Sequence, residues 1–187
     1  MTTSFQSVIL AAGKGTRMRS QRPKVLHEVL GVPMVDYAVR ASLNAGADRA
    51  VVVVGYGAER VRTALQDRPY ADSIDFAHQE KQLGTGHAVW SARDALEHGS
   101  EWTAVLSGDA PLITSQAVDS LVEGTRRANL PLGLVTAHLE DPTGYGRIVR
   151  DSDEELVRIV EETDATPTQR DIDEVNAGTY VGRTQFL

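Results

Sequence analysis

The feature that most constrains the fold is an apolar run followed directly by a glycine-rich, basic segment. The run Ser7-Val8-Ile9-Leu10 predicts a buried first strand, and residues 11–18 add two glycines, a lysine and an arginine. Glycines in such a turn leave backbone N–H groups unobstructed by side chains, and arrays of these groups bind anions. The basic side chains neutralise negative charge. The segment therefore predicts a strand that leads into a polyphosphate-binding loop.

Spacing excludes the two most familiar phosphate-binding motifs. A P-loop needs a glycine, four residues and then Gly-Lys-Ser/Thr, whereas Lys14 lies between two glycines. A dinucleotide-binding fingerprint needs glycine or alanine at its third position, which is Met18 here. The remaining pattern resembles the signature of the sugar-nucleotide pyrophosphorylases: Leu10-x-x-Gly13-x-Gly15-Thr16-Arg17-Met18, followed by Pro23-Lys24.

Composition limits the class of protein. The chain has 187 residues, of which 41% are hydrophobic and 24% charged, so it is long enough for one domain with a core. Its formal net charge of −7 argues against a nucleic-acid partner, which usually requires a basic surface. Cysteine is absent, which excludes a disulfide framework and a zinc–thiolate site. With neither a signal-peptide pattern nor a membrane-length apolar run, we expect a soluble cytoplasmic protein without a membrane partner.

Strand and helix patterns alternate along the first part of the chain. The predicted strands cover residues 7–10, 51–54, 74–77, 102–106 and 132–138. The predicted helices run from Pro33, as first helical residue, to just before Gly46, and then over residues 58–65, 86–96 and 115–127. The run Val51-Val52-Val53-Val54 is typical of a central parallel strand buried on both faces. The alternation predicts a doubly wound α/β fold.

The pattern changes after Asp141. Residues 147–150 and 156–160 flank an acidic run, which predicts a β-hairpin with an acidic tip. Residues 165–173 predict a short helix or loop, and residues 175–181 a last strand. We interpret this part as a lid or substrate-binding insertion built on the same sheet.

Charged side chains are candidates for phosphate and metal binding. Arg17 and Lys24 are within reach of the glycine-rich turn, although ordinary surface cations remain an alternative. Asp109 follows a predicted central strand, at the edge where open α/β sheets bind ligands. A carboxylate there can hold a Mg²⁺ that bridges substrate phosphates. The alternative for Asp109 is a helix-cap or turn residue.

A loop before the helix predicted over residues 86–96 carries groups suited to a pyrimidine base. The amide of Gln79 can both donate and accept hydrogen bonds, and Gly84 lets the backbone approach a base closely. Thr85, by contrast, is expected to cap the helix. The 5 histidines show no metal-ligand spacing, and we interpret them as structural or surface residues.

The second part of the chain carries a weaker signal. By spacing alone, Gly146 is a turn glycine, Glu161 a strand-end carboxylate and Asn176 an amide before a turn. Carboxylate and amide groups suit sugar hydroxyls, because sites built to hydrogen-bond a hydroxyl select for it. The spacing leaves a structural and a ligand-binding role open.

Motifs spread over nearly the whole chain resemble one enzyme family. Beside the first loop they are Pro23-Lys24-Val25-Leu26-His27, Gln82-Leu83-Gly84-Thr85-Gly86-His87-Ala88, Gly108-Asp109-Ala110-Pro111-Leu112-Ile113 and Asp141-Pro142-Thr143-Gly144-Tyr145-Gly146-Arg147-Ile148. Residues 5–181 thereby resemble the uridylyltransferase domain of the bacterial bifunctional N-acetylglucosamine-1-phosphate uridylyltransferases. The resemblance implies that residues 1–187 form a Rossmann-like nucleotidyltransferase domain. It also implies an enzyme that uses Mg²⁺ to make UDP-N-acetylglucosamine and pyrophosphate from UTP and N-acetylglucosamine 1-phosphate.

The resemblance also implies roles for individual residues. The uridine would be held by Leu10, Ala11, Ala12, Gly13, Gln79, Gly84 and Thr85. Arg17 and Lys24 would line the triphosphate and promote catalysis. The nucleotide would be flanked by Ser107, Gly108 and Asp109, with Asp109 on Mg²⁺. The N-acetylglucosamine would be held by Gly146, Glu161 and Asn176.

The chain departs from the family pattern at several positions. Ser107 replaces a common tyrosine, Glu162 stands where a lysine often follows the glutamate, and Ala177 replaces a usual threonine. Relative to the family, it also ends before an asparagine that shares the metal and before the β-helix acetyltransferase domain that makes the trimer. We therefore expect a monomeric, C-terminally truncated domain without acetyltransferase activity. Two alternatives stay open: a non-catalytic nucleotide-sugar binder, and a related nucleotidyltransferase that uses another base or sugar.

Overall fold

The chain divides into two compact units. The computed structural model describes residues 4–15, 18–97 and 99–187. The first unit extends to Gly133 and includes Tyr180–Leu187, and the second unit is Leu134–Thr179. Each unit is described separately below.

The helices and strands follow the predicted order, apart from a short additional hairpin of β2 and β3. The strands are β1 (Phe5–Ala11), β2 (Glu28–Val29), β3 (Val32–Pro33), β4 (Ala47–Val54), β5 (Ile74–His78), β6 (Trp102–Ser107), β7 (Leu132–His138), β8 (Arg147–Arg150), β9 (Leu156–Val160) and β10 (Glu174–Arg183). The α-helices are α1 (Met34–Asn44), α2 (Ala58–Gln66), α3 (Thr85–Ser91), α4 (Arg93–Leu96), α5 (Ser115–Arg127) and α6 (Pro167–Arg170), and 3₁₀ turns cover Lys24–Leu26, Ala71–Ser73 and Thr184–Phe186. Among the described residues, no helix combines the length and apolar character needed to cross a membrane.

The first unit is built on a mostly parallel sheet. Its strands lie in the order β5-β4-β1-β6, with all neighbours parallel. The C-terminal part of β10 pairs antiparallel with β6, where Val181 lies opposite Ala104. Residues 51–54 of β4 are all 0% exposed. The prediction of a central parallel strand buried on both faces is confirmed.

Alternate side chains of β4 enter two different hydrophobic clusters. Val52 and Val54 pack with residues of α1, α2 and α5, whereas Val51 and Val53 pack with residues of α3 and α4. Successive residues of a strand point to opposite faces of the sheet, so helices cover both faces. This layering confirms the predicted doubly wound α/β class.

Two helix boundaries differ from the prediction. Pro33 is the N-cap of α1 in an extended conformation, with φ −55° and ψ 140°, so the prediction of proline as the first helical residue is wrong by one position. The single helix predicted over residues 86–96 is divided at Ala92, whose N–H bonds to the carbonyl of Val89 at 2.9 Å. This bond from residue i to residue i−3 is typical of a 3₁₀ turn, which is tighter than a turn of α-helix. Ala92 and Leu96 are both buried in one cluster, so packing against the sheet favours the break.

The second unit contains the predicted hairpin. Strands β8 and β9 are antiparallel, with Ile148 opposite Ile159. The acidic turn between them is closed by Asp151, whose carboxylate accepts hydrogen bonds from the backbone N–H groups of Asp153 and Glu155. The N-terminal part of β10 pairs antiparallel with β8, and α6 lies in the segment predicted as a short helix or loop.

Candidate functional site

A cavity of about 380 Å³ lies in the first unit, at the carboxyl ends of β1, β5 and β6. It collects these predicted site residues: Leu10, Ala12, Gly13, Lys24, Gln79, Gly84, Thr85, Ser107 and Asp109. A larger cavity of about 560 Å³ beside Leu96 and Leu187 contains none of them. We assign the candidate site to the smaller cavity, because open α/β sheets bind ligands at the carboxyl edge.

Two predicted residues shape this cavity without lining it. Ala11 is 0% exposed and packs in the core. The N–H of Gly108 donates to the carbonyl of Leu10 at 2.9 Å, and a Cβ at Gly108 would lie 2.7 Å from that oxygen. Glycine therefore allows the ends of β1 and β6 to lie close together. Arg17 lies outside the described residues, so its phosphate contact stays a prediction.

The first loop requires glycine at one position. Gly15 has a φ of +64°, and a Cβ there would lie 2.5 Å from Cβ of Lys24. The left-handed conformation is costly for residues other than glycine. Gly13, by contrast, has open space where a Cβ would lie. Gly15 therefore lets Lys24 pass close to the loop.

Lys24 and Asp109 form an ion pair in the cavity. Lys24 begins a 3₁₀ turn whose Val25 and Leu26 are buried, so the backbone of this turn is anchored in the core. The side chains of Lys24 and Asp109 are 34% and 25% exposed, which leaves both accessible to a ligand. Ser107 Oγ donates a hydrogen bond to the carboxylate of Asp109 at 2.5 Å.

These contacts keep Asp109 ionised. Burial raises its pKa, but hydrogen bonds from Lys24 and Ser107 and the positive charge of Lys24 together outweigh burial. The pKa of Asp109 therefore lies below its ordinary value. The cavity thus presents an anionic group suited to a metal ion beside a cationic group suited to a phosphate.

The donor set of the cavity fits Mg²⁺ that is shared with a substrate. Proteins usually bind Mg²⁺ through one or two carboxylates together with substrate phosphates. Asp109 offers one carboxylate, and the described residues contain no cluster of three or more metal-ligating side chains. Asp109 would hold the ion, and phosphate oxygens of the nucleotide would complete its coordination.

Gln79 also lines the cavity. It is 3% exposed, and its backbone N–H donates to the carbonyl of Val54 at 2.8 Å. Its side-chain Nε2 donates to the carbonyl of Gly84 at 3.2 Å and lies 3.0 Å from Nδ1 of His87. Gly84, with φ of 108°, is the N-cap of α3, and Thr85 is the first helical residue. The expectation that Thr85 caps the helix is wrong, because the preceding glycine takes the cap position.

Sequence reasoning assigned no individual role to several residues at this site. Gly15 and Gln82 line the cavity, and His87 contacts Gln79. Gln82 and His87 belong to the run over residues 82–88 that carries the family resemblance, so a signal was present. Metal-ligand spacing gives no indication of the contact between His87 and Gln79.

The predicted sugar-binding residues lie together within the second unit. The carbonyl of Gly146 accepts a hydrogen bond from the backbone N–H of Asn176 at 2.8 Å. A Cβ at Gly146 would lie 3.2 Å from Oε1 of Glu161. Asn176 Oδ1 accepts a hydrogen bond from the N–H of Gly178 at 3.0 Å. Their contact with a sugar stays a prediction.

Glu162 forms an ion pair with the buried side chain of Arg147. Its carboxylate accepts hydrogen bonds from Arg147 Nη2 at 2.7 Å and from the N–H of Gly144 at 3.2 Å. Both bonds lower the pKa of Glu162, and the bond from Gly144 has the larger effect. Arg147 is 1% exposed, and a buried charge needs a partner. A lysine at position 162 would repel Arg147, whereas Glu162 stabilises it.

Comparison with known proteins identifies relatives over almost the whole chain. Residues 7–161 match the MobA-like NTP transferase domain. The bifunctional protein GlmU of Anaeromyxobacter sp. (strain K) is 48% identical over 185 residues, which cover 99% of this chain and 38% of that protein. GlmU of Desulfotalea psychrophila (strain LSv54 / DSM 12343) is 43% identical over 180 residues, which cover 96% of this chain and 52% of that protein. The chain thus spans 38% and 52% of the lengths of these relatives.

Solved structures share the fold. HddC from Yersinia pseudotuberculosis has a TM-score of 0.74 at 25% identity, covering 96% of this chain and 77% of HddC. A Bacillus anthracis protein provisionally assigned as a glucose-1-phosphate thymidylyltransferase has a TM-score of 0.80 at 19% identity, covering 97% of this chain and 72% of that chain. Both confirm the Rossmann-like architecture. Because the family model spans most of its length, the chain belongs to the MobA-like NTP transferase domain family and is a nucleotidyltransferase.

Proposed function

We propose that this chain transfers UMP from UTP to N-acetylglucosamine 1-phosphate. An oxygen of the sugar phosphate attacks the α-phosphorus of UTP. The bond between that phosphorus and the oxygen bridging to the β-phosphate breaks, and its electron pair leaves with pyrophosphate. The products are UDP-N-acetylglucosamine and pyrophosphate.

One observation carries this proposal. A single cavity at the carboxyl edge of the sheet combines Lys24 and Asp109, which suit phosphates and a metal ion, with Gln79 and Gly84, which suit a base. The chain that carries these groups is 48% identical to a GlmU protein over 99% of its own length. The identity supports uridine as the nucleoside and N-acetylglucosamine 1-phosphate as the acceptor.

The chemistry needs charge neutralisation more than it needs a nucleophilic side chain. Two anions must approach each other, so positioning and positive charge lower the barrier. Lys24 provides a fixed positive charge at the phosphate end of the cavity. A Mg²⁺ ion held by Asp109 would supply further positive charge to the triphosphate. Loss of one group that stabilises developing charge costs on the order of 3 kcal/mol, about 100-fold in rate.

The second unit carries the proposed sugar contacts. Glu161 and Asn176 offer a carboxylate and an amide, and Gly146 lies against both. Such side chains select a ligand by its hydroxyl and amide groups. A ligand that lacks these groups leaves the polar side chains of the site without hydrogen-bond partners. We propose that they distinguish N-acetylglucosamine 1-phosphate from glucose 1-phosphate.

The test is pyrophosphate release with a panel of substrates. UTP, CTP, GTP and dTTP are each supplied with N-acetylglucosamine 1-phosphate, with glucose 1-phosphate, or with neither, in the presence of Mg²⁺. We expect release only when UTP and N-acetylglucosamine 1-phosphate are both present. Asp109→Asn should lower the rate about 100-fold or more, whereas Asp119→Asn, at an exposed position of α5, should leave it unchanged.

Other results would overturn defined parts of the proposal. Faster release with another nucleotide or with glucose 1-phosphate would reassign the base or the sugar. Binding of UTP without release under any combination would reject catalysis and favour a nucleotide-sugar binder. A rate unaffected by Asp109→Asn would reject the proposed role of that carboxylate.

A further inference from the structure

The amide of Gln79 has both of its N–H groups engaged inside the protein. Nε2 lies 3.2 Å from the carbonyl oxygen of Gly84 and 3.0 Å from Nδ1 of His87. Gln79 lines the cavity and is 3% exposed. In the described part of the chain, no group donates a hydrogen bond to its Oε1. The amide oxygen is therefore the part of this side chain that is left for a ligand.

The contact with Gly84 shows which way the amide points. A carbonyl oxygen only accepts hydrogen bonds, so a reversed amide would place Oε1 against the oxygen of Gly84 without a proton between them. With Nε2 held by Gly84, the second N–H of the amide points at Nδ1 of His87. Nδ1 must then accept, and the neutral imidazole carries its proton on Nε2.

We propose that His87 sets the base selectivity of the cavity by holding the Gln79 amide with its oxygen available to the base. The inference rests on the proposed function, because it requires a nucleotide base beside Gln79. His87 is a positioning residue: it acts through the amide and need not contact the nucleotide.

An amide held in this way distinguishes uracil from cytosine. Uracil presents an N3–H donor, whereas N3 of cytosine is a bare acceptor. Oε1 can accept from the uracil N3–H, but it would oppose the lone pair of cytosine N3. A site built around one hydrogen-bonding pattern rejects an analogue that leaves polar groups unpaired. Without Nδ1 of His87, the amide keeps one anchor, turns more freely and can offer an N–H to cytosine.

Two substitutions at one position separate this role from packing. His87→Asn keeps an acceptor, because Oδ1 of asparagine takes nearly the place of Nδ1, while His87→Leu has similar size and no acceptor. The dissociation constants of UTP and CTP are measured by calorimetry, and KM and kcat by pyrophosphate release. His87→Leu should lower the preference for UTP over CTP about tenfold, equivalent to about 1.4 kcal/mol. His87→Asn should retain the preference, and the leucine variant should raise the KM for UTP more than it lowers kcat.

His78→Leu provides the matched control, because His78 is an exposed histidine at the end of β5. Its UTP preference should equal that of the unsubstituted protein. An unchanged preference in folded His87→Leu would overturn the proposal. Equal losses in the leucine and asparagine variants would also overturn it, because His87 would then matter only for packing.

A spectroscopic measurement tests the proposal without any substitution. ¹⁵N NMR of the His87 imidazole should find the proton of the neutral ring on Nε2 and Nδ1 unprotonated. A proton on Nδ1 would overturn the proposal even if His87→Leu failed to fold. The binding and NMR measurements need no turnover, so absence of pyrophosphate release from the unsubstituted protein would refute the proposed function separately.

Discussion

Replacing Gly15 with alanine tests whether the first loop positions Lys24. Gly15 has a φ of +64°, and the added Cβ would lie 2.5 Å from Cβ of Lys24. The substitution therefore combines backbone strain with a collision against the residue proposed to bind phosphate. We expect both the free energy of unfolding and the turnover to fall.

The size of the stability loss follows from three contributions. A left-handed φ costs a non-glycine residue about 1–2 kcal/mol, and overpacking costs about 1–3 kcal/mol. Alanine restricts the unfolded chain and offsets about 0.4–1 kcal/mol of this. The expected decrease in the free energy of unfolding is about 3 kcal/mol.

Gly31→Ala is the matched control. Gly31 also has a left-handed φ, of +78°, but nothing lies within 4 Å of where its Cβ would be. It should therefore lose about 1 kcal/mol and keep full turnover. Denaturant unfolding and pyrophosphate release are measured for both variants. Equal stability losses, or full turnover in folded Gly15→Ala, would refute the claim that Gly15 exists to accommodate Lys24.

Further predictions concern the ion pair in the cavity and two buried carboxylates. Lys24→Ala should lower kcat about 100-fold and change the dissociation constant of UTP much less, as measured by kinetics and calorimetry. Tyr70→Phe should lower the free energy of unfolding by about 1.5–3 kcal/mol, because the Tyr70 hydroxyl donates at 2.5 Å to Asp36, which is 2% exposed. Hydrogen bonds from Arg150 lower the pKa of Glu174 from 4.5 to about 2. The stabilisation by this pair is therefore complete above pH 4.5 and is lost as the pH falls towards about 2. In Glu174→Gln, the free energy of unfolding should decrease less over this pH range.

Each prediction has a result that would contradict it. For Lys24→Ala, it is a loss of UTP affinity as large as the loss of turnover. Unchanged stability of Tyr70→Phe would mean that the hydroxyl adds nothing to the Asp36 site. For Glu174→Gln, the control is Glu140→Gln at an exposed position. The same decrease in the free energy of unfolding at acid pH in both variants would reject the role of the Arg150–Glu174 pair.

The sheet and most helices could be predicted because their signal is local. The valine run of β4 and the apolar periodicity of α5 fix element type within a few residues, and the predicted span of α5 matches Ser115–Arg127. The division at Ala92 could not be predicted in this way, because it depends on packing against the sheet. The same holds for the antiparallel pairing of β10 with β6, which joins distant segments.

The candidate site was predictable in residue type and less so in geometry. Reach to the glycine-rich turn identifies Lys24 as a candidate, and position after a strand identifies Asp109, but their mutual ion pair depends on how two loops approach each other. The collision that requires glycine at position 15 is likewise tertiary. The contact of His87 depends on the direction of two side chains, which spacing cannot give.

The most direct test of the central claim is to quantify UDP-N-acetylglucosamine by mass spectrometry alongside pyrophosphate. Both products should form in equal amounts from UTP and N-acetylglucosamine 1-phosphate. Both should fall together in Lys24→Ala and in Asp109→Asn. UTP consumption without UDP-N-acetylglucosamine, or undiminished product formation in both variants, would contradict the assignment of nucleotidyl transfer to this cavity.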